Sequence, residues 1–318
     1  MENMEEVIKK IKSAKSVAVL GHVNADPDSI GSCFAFAHMM RLAGKEAVVY
    51  MSERIENRLA FMGDNYVVYE GGNPPHHDLC VCLDCGDFDR LGYRKDIFEA
   101  ADNTVSIDHH RTNTYFAQAN YVDGKAPATA EMLCRLFKKM DMSLDAEAAK
   151  QLYTALSSDT GCFKFSSVTP ETMREAADLL EYDFDHAEVS RLLFDSNTFN
   201  EVRFKAEAML SLKSLLDGKL TMVVIDNNMV KRSGLRDEQL PNVVDIPRSV
   251  QGTEIAVSMK EKNGDIRVNL RSNGYADVSA IALKFGGGGH AKAAGCTIKD
   301  VSLEEAEKII VETCKEVI

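Results

Sequence analysis

The stretch SVAVLGHVNADPDSIGS, residues 16–32, decides the reading of this chain. Ser16 to Leu20 is a short apolar strand. A polar loop follows, and the apolar run from Ile30 to Leu42 has a helix's length and stops at Gly44, as helices commonly do. The loop places His22, Asp26 and Asp28 within seven residues. In an open parallel sheet, ligands gather beyond the carboxyl ends of the strands, so this loop marks a fold and a site together. Taken alone, it also reads as an ordinary βα turn, with Asp28 capping the helix and Asp26-Pro27 marking the bend. Gly31 and Ser32 are placed to let a phosphate or a ligand's backbone come close.

The pattern recurs along the chain. The apolar run Leu79 to Leu83 leads into Asp84 and Asp87, and Thr104 to Ile107 leads into Asp108, His109 and His110. A helix over Asp145 to Ser158 leads into Asp159. A carboxylate ending a buried strand is costly unless paired, and a cation relieves it; Arg90 is the alternative partner for Asp84. Hard oxygen ligands with a few imidazoles and no thiolate suit Mn²⁺ or Mg²⁺. A metal pair ~4 Å apart is the usual device for phosphoryl hydrolysis.

Further strands are expected at Glu46 to Tyr50 and Tyr66 to Tyr69, with helices at Thr129 to Met140 and from Thr169, where Pro170 takes the first position. Strand–helix alternation implies an α/β domain with a mainly parallel sheet flanked by helices. A second pattern begins near Lys219. Leu220 to Ile225 is strand-like, and Glu254 to Glu261 and Asp265 to Arg271 flank Lys262-Asn263-Gly264, a strong hairpin signal. A helix over Asp277 to Phe285, a glycine run, a strand at Gly295 to Lys299 and a helix from Leu303 complete a smaller C-terminal α/β domain. The expected division is 1–190, a helical connector at 191–205 within the helical stretch Phe184 to Leu215, and 206–318, with the active site in the cleft between domains.

Composition narrows the function. A length of 318 residues fits roughly two domains, and 45% hydrophobic content supports full cores. No apolar run reaches the ~18 residues of a membrane span, and the acidic start Met1 to Glu6 is unlike a signal peptide, so a cytoplasmic protein without membrane contact is expected. A formal charge of −12 argues against tracking long nucleic acid, but allows a small anionic substrate in a locally basic pocket. The eight cysteines read as free thiols. Cys80-x-Cys82-x-x-Cys85, preceded by His76 and His77, suggests zinc, but no second ligand pair is evident and a buried strand explains the thiols.

The segments His22-x-x-x-Asp26-x-Asp28, Asp84, Asp108-His109-His110 and Asp159 resemble the signature of the DHH phosphoesterases. Gly286-Gly287-Gly288-Gly289-His290-Ala291-Lys292-Ala293-Ala294-Gly295 is similar to the glycine-rich motif of their DHHA1 domain. The likeness spans nearly the whole chain. The motif order and Arg271-Ser272-Asn273 most resemble the bifunctional oligoribonuclease and 3′-phosphoadenosine-5′-phosphate phosphatase group. That resemblance implies His22, Asp26 and Asp84 on one metal and Asp28, Asp84, His109 and Asp159 on a second, Asp84 bridging. Asn24-Ala25-Asp26-Pro27-Asp28 departs from the family's more familiar Pro-Asp-x-Asp order while keeping the ligands in place.

The residues support complementary roles. His110 can bond a phosphate oxygen or assist proton transfer to the leaving alkoxide, with Asp108 orienting an imidazole. Four glycines expose backbone N–H groups suited to an anion, so Gly287, Gly288, Gly289, His290 and Lys292, with Arg271, Ser272, Arg111 and Asn113, are the candidate substrate contacts. The glycine run lacks the Gly-Lys-Ser/Thr ending of a P-loop. The expected protein is a two-metal hydrolase, Mn²⁺ preferred and Mg²⁺ the substitute. It acts on short RNA or a small phosphorylated nucleotide, and a homodimer is open to it. The alternatives are a phosphodiesterase for linear or cyclic dinucleotides and a catalytically silent nucleotide-binding regulator.

Overall fold

The computed structural model describes residues 2–318, and two compact units meet between Ser196 and Asn197. In the first unit, β1 (Ser16–Leu20), β2 (Glu46–Met51), β3 (Tyr66–Val68), β4 (Leu79–Leu83), β5 (Asn103–Asp108) and β6 (Ala119–Val122) form one sheet. Its order is β3-β2-β1-β4-β5-β6, with every pairing parallel. The strand order reverses between β1 and β4, where an open α/β sheet leaves a crevice for ligands. The helices are α1 (Glu2–Ser13), α2 (Pro27–Leu42), α3 (Lys95–Ala100), α4 (Thr129–Lys139), α5 (Ala146–Asp159), α6 (Pro170–Leu179) and α7 (His186–Ser190).

Alternation along the central strands fills both faces. Val17, Val19, Val81 and Leu83 join Phe36, Met40, Phe137 and Leu152 in one core, while Ala18, Leu20, Cys80 and Cys82 join Leu91, Ile97 and Phe98 in the other. Each fully buried large apolar side chain contributes ~1.5–3 kcal/mol. Cys80, Cys82 and Cys85 thus act as small apolar fillers. His76 pairs with Asp102 and His77 with the Tyr50 hydroxyl, so the suggested zinc ligands face different partners.

Two features depart from the sequence reading. β6 was not expected, because Ala119–Val122 is short and mostly half-buried; pairing with β5 makes it a strand. The stretch Phe184 to Leu215 is not one helix. After α7, Arg191–Asp195 forms a π-helical turn, Thr198 starts α8 (Phe199–Leu210) with a reciprocal cap to Glu201, and Lys213–Leu215 is β7. The Thr-x-x-Glu cap is a helix start written in the sequence.

The second unit holds a sheet of order β11-β12-β10-β9-β8-β7. Its other strands are β8 (Leu220–Ile225), β9 (Ile255–Lys262), β10 (Asp265–Ser272), β11 (Gly288–His290) and β12 (Ala293–Ile298). Only the β8–β9 pairing is parallel. Asn263 and Gly264 turn the β9–β10 hairpin with φ of 54° and 85°, as Asn-Gly predicts. The remaining helices are α9 (Asn227–Ser233), α10 (Asp245–Arg248), α11 (Val278–Lys284) and α12 (Leu303–Lys315). One sheet face packs Val257, Val268 and Leu270 against Ile281 and Ile310. On the other, Phe204 and Ala208 of α8 cover Val223 and Ile225 of β8.

Candidate active site

The loops after β1, β4 and β5 meet the end of α5 at the reversal point of the first sheet. Asp84 lies at its centre, almost fully buried, with a left-handed backbone at φ 56° that Asp tolerates better than most residues. Its two carboxylate oxygens face opposite imidazoles. Oδ2 is 3.5 Å from His22 Nε2, and Oδ1 is 3.4 Å from His109 Nε2. His22 Nε2 is also 3.6 Å from Asp26 Oδ2, and His109 Nε2 is 3.4 Å from Asp159 Oδ2. The side chains thus form two groups, His22 with Asp26 and Asp84, and Asp28 with His109 and Asp159; ligand atoms within each lie within 4.8 Å of one another. A third group joins Asp84, His109 and His110.

The supporting bonds assign the imidazoles. His109 Nδ1 lies 3.3 Å from Ala126 O, a carbonyl that takes its ring proton and leaves Nε2 for a cation, whereas His22 Nδ1 lies between Val23 O at 2.8 Å and the donor Arg90 Nη2. His110 is held differently. Its Nδ1 donates to Asp108 Oδ1 at 2.6 Å, so Asp108 orients His110 and not the neighbouring His109. Arg90 makes no ion pair with Asp84 among the described residues; its Nη2 lies 2.9 Å from His22 Nδ1.

Three expectations need correction. Asn113 is buried and turned inward: Nδ2 donates to Asp108 Oδ2 at 2.6 Å and to Cys85 O, while Oδ1 accepts Tyr115 N. It steadies Asp108 and offers no group to a substrate. Asp26, not Asp28, caps α2, accepting Ser29 N at 3.0 Å. Gly31 lies against a helix, not a ligand: a Cβ there would stand 2.6 Å from Gln151 O and 2.9 Å from the Ala155 Cβ, both on α5. The missing side chain lets α5 approach α2. Arg111 is exposed, with Nε donating to Gly124 O at 3.0 Å.

Asp28 and Thr129 supply a link that the sequence reading missed. Asp28 Oδ2 accepts Thr129 N at 2.7 Å and Oδ1 accepts Ala130 N at 3.2 Å, while Thr129 Oγ1 donates to Asp84 Oδ1 at 3.1 Å. Ser32 Oγ adds a bond to Asp28 at 3.2 Å. The start of α4 therefore holds two of the central carboxylates.

Electrostatics test whether these donors suit a cation. Burial, followed by the charges of Asp84 and Asp26, pushes the Asp28 carboxyl above the usual carboxylate range, although His109 opposes this. Burial and then Asp28, Asp26 and Asp84 push Asp159 up as well. Burial disfavours charge on His22, yet bonds to Asp26 and Asp84 raise it to about 10; His109, against Asp84, Asp28 and Asp159, is likewise raised to about 10. Those two imidazoles outweigh burial at Asp84 and hold it below its ordinary value. Carboxylates driven toward protonation beside imidazoles driven toward charge mark a cluster short of positive charge, and a divalent cation with mixed oxygen and nitrogen ligands fits it.

In the second unit, the substrate candidates separate by face. Arg271, Ala293 and His290 fall in one register row across β10, β12 and β11, which sets Arg271 and His290 on a common face. Ser272 is buried on the opposite side, its Oγ 3.5 Å from Glu254 Oε1, and Lys292 Nζ donates to Gly274 O and Ser272 Oγ. The glycine run is not an open anion nest. Gly286 N and Gly287 N donate to Leu283 O and Ala282 O, closing α11, and Gly288–His290 forms strand β11. A Cβ on Gly287 would stand 2.2 Å from Gly295 O, and one on Gly289 2.5 Å from Ala293 O. Close packing on β12 excludes side chains there.

A parallel sheet with a carboxylate–imidazole cluster at its reversal point defines a metal-binding α/β protein. The chain belongs to the DHH family: residues 16–156 match the DHH family, N-terminal domain, and 217–318 match the DHHA1 domain. It is 30% identical to the bifunctional oligoribonuclease and PAP phosphatase NrnA of Thermus thermophilus, over 99% of this chain and 94% of that one. It is 26% identical to the protein of that name in Bacillus subtilis, over 98% of each. In structure it is similar to an exopolyphosphatase-related protein from Bacteroides fragilis, with a TM-score of 0.91 at 21% identity, covering 99% of this chain and 96% of that one.

Proposed function

We propose that this chain is a two-metal phosphoesterase hydrolysing short oligoribonucleotides to mononucleotides and 3′-phosphoadenosine-5′-phosphate (PAP) to AMP. The observation that carries the reading is Asp84, whose two oxygens each face a different imidazole–carboxylate pair. Full-length likeness to a bifunctional oligoribonuclease and PAP phosphatase supports the substrate class.

His22, Asp26 and Asp84 would hold one cation, and Asp28, Asp84, His109 and Asp159 the other, with Mn²⁺ preferred over Mg²⁺ because imidazole nitrogen joins the oxygen donors. Bound divalent metals supply a water of lowered pKa and neutralise charge on the phosphate. His110 keeps Nε2 available while Nδ1 donates to Asp108, so it is placed to bond a phosphate oxygen or pass a proton to the leaving alkoxide. Asn113, bonded to the other Asp108 oxygen, fixes that pair. Arg271 and His290, on one face of the second sheet, would bind substrate phosphate, and Arg111 is exposed for the same use. No helix of the described residues is long and apolar enough to cross a membrane.

A product assay with Mn²⁺, comparing PAP, RNAs of two to about twenty-four nucleotides and cyclic dinucleotides, tests the proposal. Release of mononucleotides from the shortest RNAs and AMP from PAP is expected. Hydrolysis confined to cyclic dinucleotides would replace it with the phosphodiesterase reading, and no hydrolysis with any metal would leave a nucleotide-binding regulator.

A further inference from the structure

Between β6 and α4 the chain makes one tight turn, Asp123-Gly124-Lys125-Ala126, in which Asp123 uses every polar atom it has. Its N–H donates to Asp108 O at 3.1 Å, its carbonyl accepts Ala126 N at 3.0 Å, and its Oδ1 accepts Lys125 N at 3.1 Å. The remaining oxygen, Oδ2, accepts Arg135 Nη1 at 2.9 Å. The turn ends at the carbonyl of Ala126, which lies 3.3 Å from His109 Nδ1, and Pro127 restricts the backbone just before it. One turn therefore holds the main chain at Asp108 and the ring at His109.

Exposed ion pairs contribute little alone, and the side chains of Arg135 and Asp123 are each 30% exposed. A second partner changes the balance. Arg135 also pairs with Glu131, whose side chain is 1% exposed and whose Oε2 has no partner among the described residues. A buried carboxylate answered by a single guanidinium holds that guanidinium in place, and the planar fork serves both acids at once. Glu131 stands two residues after Thr129, so the helix start that bonds Asp28 and Asp84 also carries the anchor of Arg135. Helix α4 thus reaches the Asp28, His109 and Asp159 group by two routes. Its leading N–H groups bond Asp28, and Arg135 reaches His109 through Asp123 and Ala126.

We propose that Arg135 is a positioning residue for His109: by clamping the Asp123–Ala126 turn to α4, it fixes the imidazole that serves one of the two cation groups. The inference rests on the two-metal reading and adds a residue that lies outside the ligand set. His109 Nε2 faces a cation only while Ala126 O accepts the proton on the other side of the ring, and that carbonyl is placed by Asp123. His22 and Asp26 make no bond to this turn among the described residues, so the clamp serves the His109 group alone.

The test uses the full chain with Glu131→Gln/Arg135→Met, which removes the clamp without leaving a buried carboxylate unpaired. Arg135→Lys is the charge-keeping companion. In chelator, NMR of protein labelled at histidine nitrogen should show the wild-type His109 Nδ1–H as a slowly exchanging proton. That resonance should be lost to exchange in the Gln/Met protein and kept in the Lys protein. Equilibrium titration should then find one Mn²⁺ held about tenfold or more weakly in the Gln/Met protein and the other unchanged, with most of the loss recovered by Lys. The unfolding midpoint in chelator should move little, which separates positioning from a general loss of structure. A His109 proton as protected as in the wild type, equal weakening of both ions, or equal loss in the Lys protein would overturn the assignment. A wild type that holds two Mn²⁺ but hydrolyses neither RNA nor PAP would count against the oligoribonuclease reading alone, because neither arm uses substrate. If the wild type bound no Mn²⁺, the two-metal reading would fall, and the exchange arm would still decide whether Arg135 fixes the ring.

Discussion

Asp28 Oδ2 accepts the backbone N–H of Thr129 at 2.7 Å, across 101 residues of chain. Helix α4 has no side-chain cap of its own, so a carboxylate in the first turn of α2 satisfies its leading N–H groups. The same threonine donates its hydroxyl to Asp84. One helix start therefore aligns a carboxylate on α2 with another in the loop after β4.

Thr129→Ala keeps the backbone bond to Asp28 and removes only the hydroxyl to Asp84. Losing such a supporting partner typically costs 10–100-fold in metal affinity or activity. Mn²⁺ titration and kcat/KM should fall within about that range while the unfolding midpoint moves little. Unchanged activity would detach Thr129 from the centre.

His109 and His110 should fail in different ways. His109 faces Asp84 and Asp159, whereas His110 is tied to Asp108. His109→Ala should lower Mn²⁺ occupancy; His110→Ala should retain metal and lower kcat, with Asn113→Ala a weaker version of the same defect. Equal metal loss at both histidines would contradict the division.

Gly31→Val should loosen the packing between α2 and α5, since even its Cβ would stand 2.6 Å from Gln151 O. Overpacking of this kind typically costs ~1–3 kcal/mol. Denaturant unfolding should report that loss, and activity should fall with it because α5 ends in Asp159. A variant as stable as the wild type would mean the helices separate freely.

Acid stability offers a check outside the site. Asp78 Oδ2 accepts the backbone N–H groups of Lys15 at 2.7 Å and Ser16 at 3.0 Å, which hold its carboxyl below the ordinary value. A carboxyl depressed by folding contributes stability above its unfolded pKa of ~3.9, and this is lost as pH falls through the lower folded value. Asp78→Asn should therefore be less stable than wild type near neutrality, with the gap narrowing below about pH 4. Urea midpoints across pH measure it, and a constant gap would contradict the linkage.

Much of the first unit was legible because its strands are uniformly apolar and end in charge. Leu79–Leu83 is buried at every position, so Asp84 could be recognised as a charge needing a partner before any geometry was known. Asp108-His109-His110 was legible as a group, but the partner of each ring depends on which way the loop turns after β5. Thr129 looked like an ordinary helix start, since its hydroxyl acquires meaning only when α4 meets Asp84. The glycine run was ambiguous for a related reason: freedom to bind an anion and freedom to pack against β12 have the same sequence signature, and only the 2.2 Å approach to Gly295 O separates them. Asn113 pointed the wrong way because burial is invisible in a polar loop.

The central claim is that Asp84 joins two metals, and Mn²⁺ stoichiometry in the wild type and Asp84→Asn tests it most directly. Equilibrium titration should find about two Mn²⁺ per wild-type chain, matching the two ligand groups, and at most one weakly held ion in the folded variant, with hydrolysis reduced by orders of magnitude. Two tightly bound Mn²⁺ and near-normal turnover in Asp84→Asn would contradict it.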